Sequence, residues 1–142
     1  MSEWTHEEIL QQAQVNAKSV YLGTIAYFKR NGQSIEDWAT FVGELFSSGW
    51  DGMKGADALD IARAAAFNPV CIGGTLVSLE GDAKQATAVF DFPIEEMAES
   101  VGVSIDEYEH MMATVYQAIF AYLGINFASK HTGDRWTYEL SY

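Results

Sequence analysis

Ser78-Leu79-Glu80-Gly81-Asp82-Ala83-Lys84-Gln85 and Lys130-His131-Thr132-Gly133-Asp134-Arg135-Trp136 are the two stretches whose reading decides the fold. Each places a Gly-Asp pair between segments that alternate in character, the signature of a β-hairpin tip, where the chain needs residues that tolerate unusual backbone angles. After the first turn, Ala86, Ala88, Phe90 and Phe92 alternate with Thr87, Val89 and Asp91, and Pro93 ends the run. After the second, Trp136, Tyr138, Leu140 and Tyr142 share one side and Thr137, Glu139 and Ser141 the other. Such period-two patterns describe a sheet with two unlike faces. The strands entering the turns are Ile125 to Lys130 and the β-rich Val70 to Leu79. Gly73-Gly74 interrupts the latter, which predicts a bulge, a bend or a close approach to the backbone.

Outward from the hairpins the periodicity is helical. Thr5 and Glu8 form a capping box at the start of a long helix carrying Ile9, Ala13, Ala17, Val20, Thr24 and Phe28, with Leu22 and Ile25 broadening the stripe, up to Asn31-Gly32. Apolar residues on more than one side predict partners on more than one side. Ser34 caps a second helix bearing Ile35, Trp38, Val42, Leu45 and Phe46, and Gly49 ends it. An alanine-rich helix, Ala56 to Phe67, is expected to stop near Asn68, because Pro69 disfavours helical geometry in the residue before it. Between the hairpins, a short acidic segment (Ile94 to Val101) precedes a second capping box, Ser104 with Glu107. It opens a strongly apolar helix that ends near Leu123-Gly124. Helices segregated from hairpins predict an α+β fold, with about four antiparallel strands in two hairpins that pair edge to edge, covered by a layer of helices. The length, 142 residues, suits a single domain spanning 1–142.

With 8 Lys and Arg against 20 Asp and Glu, the formal charge of −12 argues against nucleic acid and anionic membrane partners, both of which are held by basic clusters. One cysteine, Cys71, permits no internal disulfide and reads as a small buried hydrophobe in a strand of a protein from a reducing compartment. No secretion signal or membrane-length apolar run is present, so a cytoplasmic location is expected.

Chemistry-bearing constellations are few. Glu107-x-x-His110 is a single copy of a spacing that di-iron bundles use twice, with His110 expected in solvent, and His6 and His131 have no second ligand at a recognisable spacing. No metal, nucleotide or other cofactor is therefore expected, and Gly73-Gly74 lacks the rest of a phosphate-binding loop. His131, at a hairpin tip, reads as a solvated turn residue or as a proton carrier at a pocket mouth. Asp91 stands between Phe90 and Phe92. It either points outward with Thr87, as alternation predicts, or is buried with a raised pKa and acts as a general base or acid. Tyr21, Tyr27, Trp38, Trp50, Tyr116, Trp136 and Tyr138 form an aromatic set that suits the lining of a pocket, a large core or a dimer interface.

Glu80-Gly81-Asp82, Phe92-Pro93 and Thr132-Gly133-Asp134-Arg135-Trp136, in this order of helices and hairpins, resemble the aminothiazoline carboxylic acid hydrolase-like and vinyl reductase-like small-molecule-binding domains. Those families usually carry cysteines near the corresponding proline and in the last strand. Asp91-Phe92-Pro93 and Trp136-Thr137-Tyr138 have none. The resemblance thus implies a helix-covered sheet with a pocket for a small organic molecule, without cysteine-dependent chemistry.

The expected function is that of a cofactor-independent enzyme (hydrolase or isomerase) or binding domain for a small, partly apolar organic molecule. In this reading Asp91, Tyr116, Tyr138 and His131 move protons, and Tyr21, Trp38, Cys71 and Trp136 contact the ligand. The alternative is a non-catalytic homodimeric assembly protein built on the first helix and the aromatic strand, and a homo-oligomer is expected in either case.

Overall fold

Both Gly-Asp turns close antiparallel hairpins. The computed structural model describes residues 3–142. Helices α1 (His6–Arg30), α2 (Ile35–Phe46) and α3 (Ala58–Cys71), with a 3-10 segment Ser47–Met53 after α2, precede the hairpin of β1 (Thr75–Gly81) and β2 (Gln85–Asp91). Helices α4 (Glu95–Ser100) and α5 (Ile105–Leu123) then lead to the hairpin of β3 (Asn126–Thr132) and β4 (Arg135–Ser141). The hairpins pair through β2 and β4, giving one antiparallel sheet of order β1-β2-β4-β3. This is the α+β architecture that the segregated patterns predict.

Alternation decides which face is covered. Register pairs Ala86 with Leu140, Ala88 with Tyr138 and Phe90 with Trp136, and all six are buried beneath the helices. Thr87, Val89 and Asp91 face the other way with Thr137 and Glu139, where burial is partial or lost. Small residues on β2 thus face large ones on β4, which lets the alanine-rich side of α3 (Ala58, Ile61, Ala62, Ala65 and Ala66, all buried) lie close to the sheet. Both capping boxes form, at Thr5/Glu8 and Ser104/Glu107, and Gly124 closes α5 in a left-handed conformation.

The first turn does more than reverse the chain. Asp57, before α3, makes no side-chain cap. Instead the turn carbonyls of Ala83 and Asp82 accept the amides of Ala58 and Leu59 at 3.0 and 3.1 Å, satisfying donors that a helix start leaves unpaired. The Asp82 carboxylate accepts the amides of Lys84 and Gln85, which holds the turn in shape. At the second turn, the Asp134 carbonyl accepts the amide of Phe92 at 2.8 Å and fixes the chain as it leaves β2.

Three expectations need correction. First, α3 runs through Pro69 to Cys71, so Val70 and Cys71 are helical and the strand begins only at Thr75. Pro69 has no N–H to give the carbonyl of Ala65 four residues back, and the Tyr116 hydroxyl reaches that carbonyl instead, at 3.3 Å. Gly73-Gly74 is the helix exit, and a Cβ at Gly74 would lie 2.8 Å from the Pro69 carbonyl oxygen, so close backbone approach is the reading that holds there. The ladder irregularity falls later, between Leu76 and Ser78. Second, Cys71 is exposed rather than a buried strand residue. Third, much of the apolar stripe of α1 faces outward: Leu22, Ile25 and Ala26 enter the core, whereas Ile9, Val20 and Tyr27 are exposed. No helix among the described residues is long and apolar enough to cross a membrane.

Helix α5 packs against α2 at Gly43, where an added Cβ would lie 2.5 Å from the Val115 carbonyl oxygen and 2.6 Å from the Ala118 Cβ. Gly43→Ala should therefore force the helices apart and cost about 1–3 kcal/mol in urea denaturation. Gly49→Ala, where nothing lies within 4 Å, is the control and should be far milder.

Candidate functional site

A cavity of about 480 Å³ opens between the helical layer and the sheet, where α3 ends. Helix α5 supplies one wall through Tyr108, Met112, Val115, Tyr116 and Ile119, and the sheet contributes Phe90, Trp136 and Tyr138, with Phe92 beside them. Tyr21 of α1, Trp38, Val42 and Phe46 of α2, and Trp50 of the 3-10 segment close the far side. The end of α3 adds Asn68, Pro69 and Cys71, followed by Ile72. Phe46, Asn68 and Cys71 are exposed and mark where the cavity meets solvent. Ten of these eighteen wall residues are aromatic and none carries a charge. A broader, more open depression of about 600 Å³ lies on the solvent side of the sheet, beside Glu80, Gln85, Thr87 and Glu139. It lacks the enclosing aromatic walls, so the enclosed space is the candidate site.

Polar groups in the wall are phenols, three indoles, the Asn68 amide and the Cys71 thiol. Asn68 Nδ2 donates to the Tyr116 hydroxyl oxygen at 2.9 Å, while that hydroxyl donates to the Ala65 carbonyl, so Tyr116 is fixed from both sides. The hydroxyls of Tyr108 and Tyr138 have no hydrogen-bond partner among the described residues, although both side chains are buried. Neither oxygen is sealed by protein, so both remain in contact with the cavity. Burial holds these phenols neutral: it pushes Tyr116 up to about 12 and raises Tyr108 and Tyr138 well above the ordinary tyrosine value, with neighbouring phenols adding to the effect. They act as hydrogen-bond donors at neutral pH, not as bases. The indole Nε1 of Trp136 is enclosed and unpaired.

The structure brings Tyr21, Trp38, Cys71, Tyr116, Trp136 and Tyr138 to this one cavity and leaves two expected site residues outside. Asp91 lies on the opposite face of the sheet, where Arg135 Nε and Nη2 donate to its two carboxylate oxygens at 2.8 and 2.9 Å. Those bonds hold its carboxyl below the usual carboxylate range despite slight desolvation, the reverse of the raised pKa that a buried base would need. His131 sits neither in a solvated turn nor at the mouth. Its ring packs on Trp136 with centroids 4.9 Å apart, its Nε2 pairs with the Asp106 carboxylate at 2.8 Å, and its Nδ1 is enclosed without a partner. Glu107 binds the Ser104 amide and Lys29 rather than turning to His110, which lies 3.7 Å from Glu36. Among the described residues, no group of three or more His, Cys, Asp or Glu could hold a metal ion.

Tyr108 and Asn68 were not singled out from sequence as site residues. Tyr108 shares the apolar face of α5 with Met112 and Val115, a pattern that also describes ordinary core. Asn68 joins the wall only because α3 continues through Pro69. No protein-family model matches the chain, and no curated protein matches it.

Two predictions follow from the phenols. Tyr108, Tyr116 and Tyr138 keep their protons in the fold above pH ~10, where the unfolded chain releases them, so the folded state binds more protons there. Stability is complete below that pH and falls above it by about 1.4 kcal/mol per pH unit for each group. Absorbance at 295 nm recorded with far-ultraviolet dichroism should show these three ionising only as helicity is lost; ionisation of all seven tyrosines with helicity intact would contradict their burial. Tyr116→Phe strips Asn68 and the Ala65 carbonyl of their partner and should lower unfolding free energy by about 1–2 kcal/mol in urea titration.

Proposed function

We propose that this chain binds a small, uncharged and largely apolar organic molecule in the cavity between α5, the end of α3 and the sheet. The observation that carries the reading is the wall itself: ten aromatic side chains, no charge, and two phenol hydroxyls left unpaired on an enclosed space of about 480 Å³. Volumes of roughly 300–1,000 Å³ with few polar groups are usual for organic ligands. An anionic ligand would find no cation in the wall and a chain of net charge −12 around it. The unpaired hydroxyls favour a ligand with at least one hydrogen-bond acceptor, such as a carbonyl or ether oxygen. Binding is favoured over hydrolysis or isomerisation because the carboxylate expected to move the proton is paired with Arg135 on the far side of the sheet. The resemblance to small-molecule-binding domains of the hydrolase-like and reductase-like families points the same way.

N-phenyl-1-naphthylamine, an uncharged fluorescent dye, tests the reading without knowledge of the natural ligand. It should bind the purified protein with micromolar affinity, and Met112→Trp, which fills the cavity from α5, should weaken binding at least about tenfold with the melting temperature unchanged. Bound dye should also slow alkylation of Cys71, the one cysteine and a residue of the mouth. Absence of dye binding up to about 100 µM, or binding that Met112→Trp does not affect, would overturn the proposal.

A further inference from the structure

We propose that Cys71 is a capture nucleophile for a neutral α,β-unsaturated ketone held in the cavity, an inference that rests on the cavity reading and names the class of ligand. The cysteine belongs to the wall and is exposed where the cavity meets solvent. It holds the last position of α3, where Gln14 Nε2 of α1 donates to its carbonyl at 3.1 Å and fixes the backbone that carries the thiol. A helix C-terminus disfavours an anion, and a nearby cation offsets that effect. Lys18 of α1 brings one to this exit, with its Nζ 3.5 Å from the position of a Cβ on Gly73. Among side-chain nucleophiles cysteine depends least on an adjacent base.

The thiol names no ligand by itself; two phenols do. Tyr108 and Tyr138 are 3% and 4% exposed, yet their hydroxyls have no partner among the described residues and open on the same cavity. Such donors take a carbonyl oxygen. Asn68 links them to the cysteine. It lies one helical turn before Cys71 on α3, so the two side chains are neighbours. Its Nδ2 donates to the Tyr116 hydroxyl at 2.9 Å, and the Tyr116 and Tyr138 ring centroids are 5.5 Å apart. A carbonyl conjugated to an electrophilic carbon meets both kinds of group. In the addition, the thiolate sulfur bonds to the β-carbon and the C=C π pair shifts toward the carbonyl oxygen. The enolate then takes one proton at the α-carbon. S–H has thus added across the double bond, nothing leaves, and the balance needs no oxidant or co-reactant. Negative charge grows on the oxygen during the step, where donors held in an enclosed site stabilise it most. The wall carries no charge, so the ketone is neutral and its remainder apolar or aromatic.

Benzylideneacetone, an uncharged aryl enone, is the probe, and iodoacetamide, which alkylates without building charge on a conjugated oxygen, reports the reactivity of the same thiol. Intact-mass spectrometry should show the whole enone added with no mass lost, at Cys71 in the wild type and not in Cys71→Ser. The ratio of the enone rate to the iodoacetamide rate should exceed that of N-acetylcysteine at least about tenfold, and the enone rate should saturate. Tyr108→Phe combined with Tyr138→Phe should lower this ratio at least about fivefold with helicity retained, since neither hydroxyl has a protein partner to lose. A ratio equal to that of the free thiol, or one indifferent to removal of both hydroxyls, would overturn the proposal. N-phenyl-1-naphthylamine bound normally by the same preparation leaves the cavity reading in place under either result, whereas absent dye binding defeats that reading by itself.

Discussion

Helix α3 is fastened to the rest of the molecule at both ends through backbone groups that helix geometry alone leaves unpaired, and the cavity exists because of where it is held. At its start, the carbonyls of Asp82 and Ala83 in the first hairpin turn take the amides of Leu59 and Ala58. At its end, Pro69 frees the carbonyl of Ala65, and the Tyr116 hydroxyl from α5 reaches that oxygen. A buried carbonyl left without a partner costs about 1–3 kcal/mol, so each fastening offsets a penalty rather than adding an ornament. Between them the alanine face of α3 rests on Ala86 and Ala88. Where α3 ends, the small residues give way to aromatic rings and the gap begins.

The sheet sorts charge away from that gap. Period-two alternation sends Ala86, Ala88 and Phe90 inward and sends Asp91 outward, and the same register sends Trp136 and Tyr138 inward and Arg135, Thr137 and Glu139 outward. Ion pairs therefore collect on the exposed face, Asp91 with Arg135 and Lys130 with Glu139. The inner face keeps only groups that are neutral when buried. A cavity roofed by helices over such a face is uncharged as a consequence of strand register, and its chemistry is that of phenol and indole donors.

That division was legible in the sequence where the signal was local. Hairpins, the facing sides of the strands, capping boxes and the helix end near Leu123-Gly124 all depend on neighbouring residues and read correctly. The aromatic set was legible too: six of its seven members reach one cavity, and only Tyr27, on the outer side of α1, does not. What could not be read depends on tertiary partners. Pro69 stays helical because a tyrosine 47 positions later compensates its missing donor. Cys71 is consequently exposed at the mouth instead of buried in a strand. For Asp91, alternation and burial between two phenylalanines gave opposite answers, and Arg135 on the adjacent strand favours the outward one. In α1 both sides are apolar, so periodicity alone does not say which one meets the core.

The unpaired polar atoms around the cavity bear most directly on its purpose. The hydroxyls of Tyr108 and Tyr138 lack protein partners and are not sealed from the cavity. An interior optimised only for stability would replace such tyrosines by phenylalanine, at little cost in packing and with the desolvation penalty removed. It would also fill the space, because contacts across a gap are lost outright. Retaining both the gap and the polar atoms makes sense if an occupant supplies the missing contacts. A molecule present at a hundred times its dissociation constant would then stabilise the fold by about 2.7 kcal/mol. That return is on the scale of one or two unpaired hydroxyls, so an occupied cavity can offset what its polar wall costs the empty one.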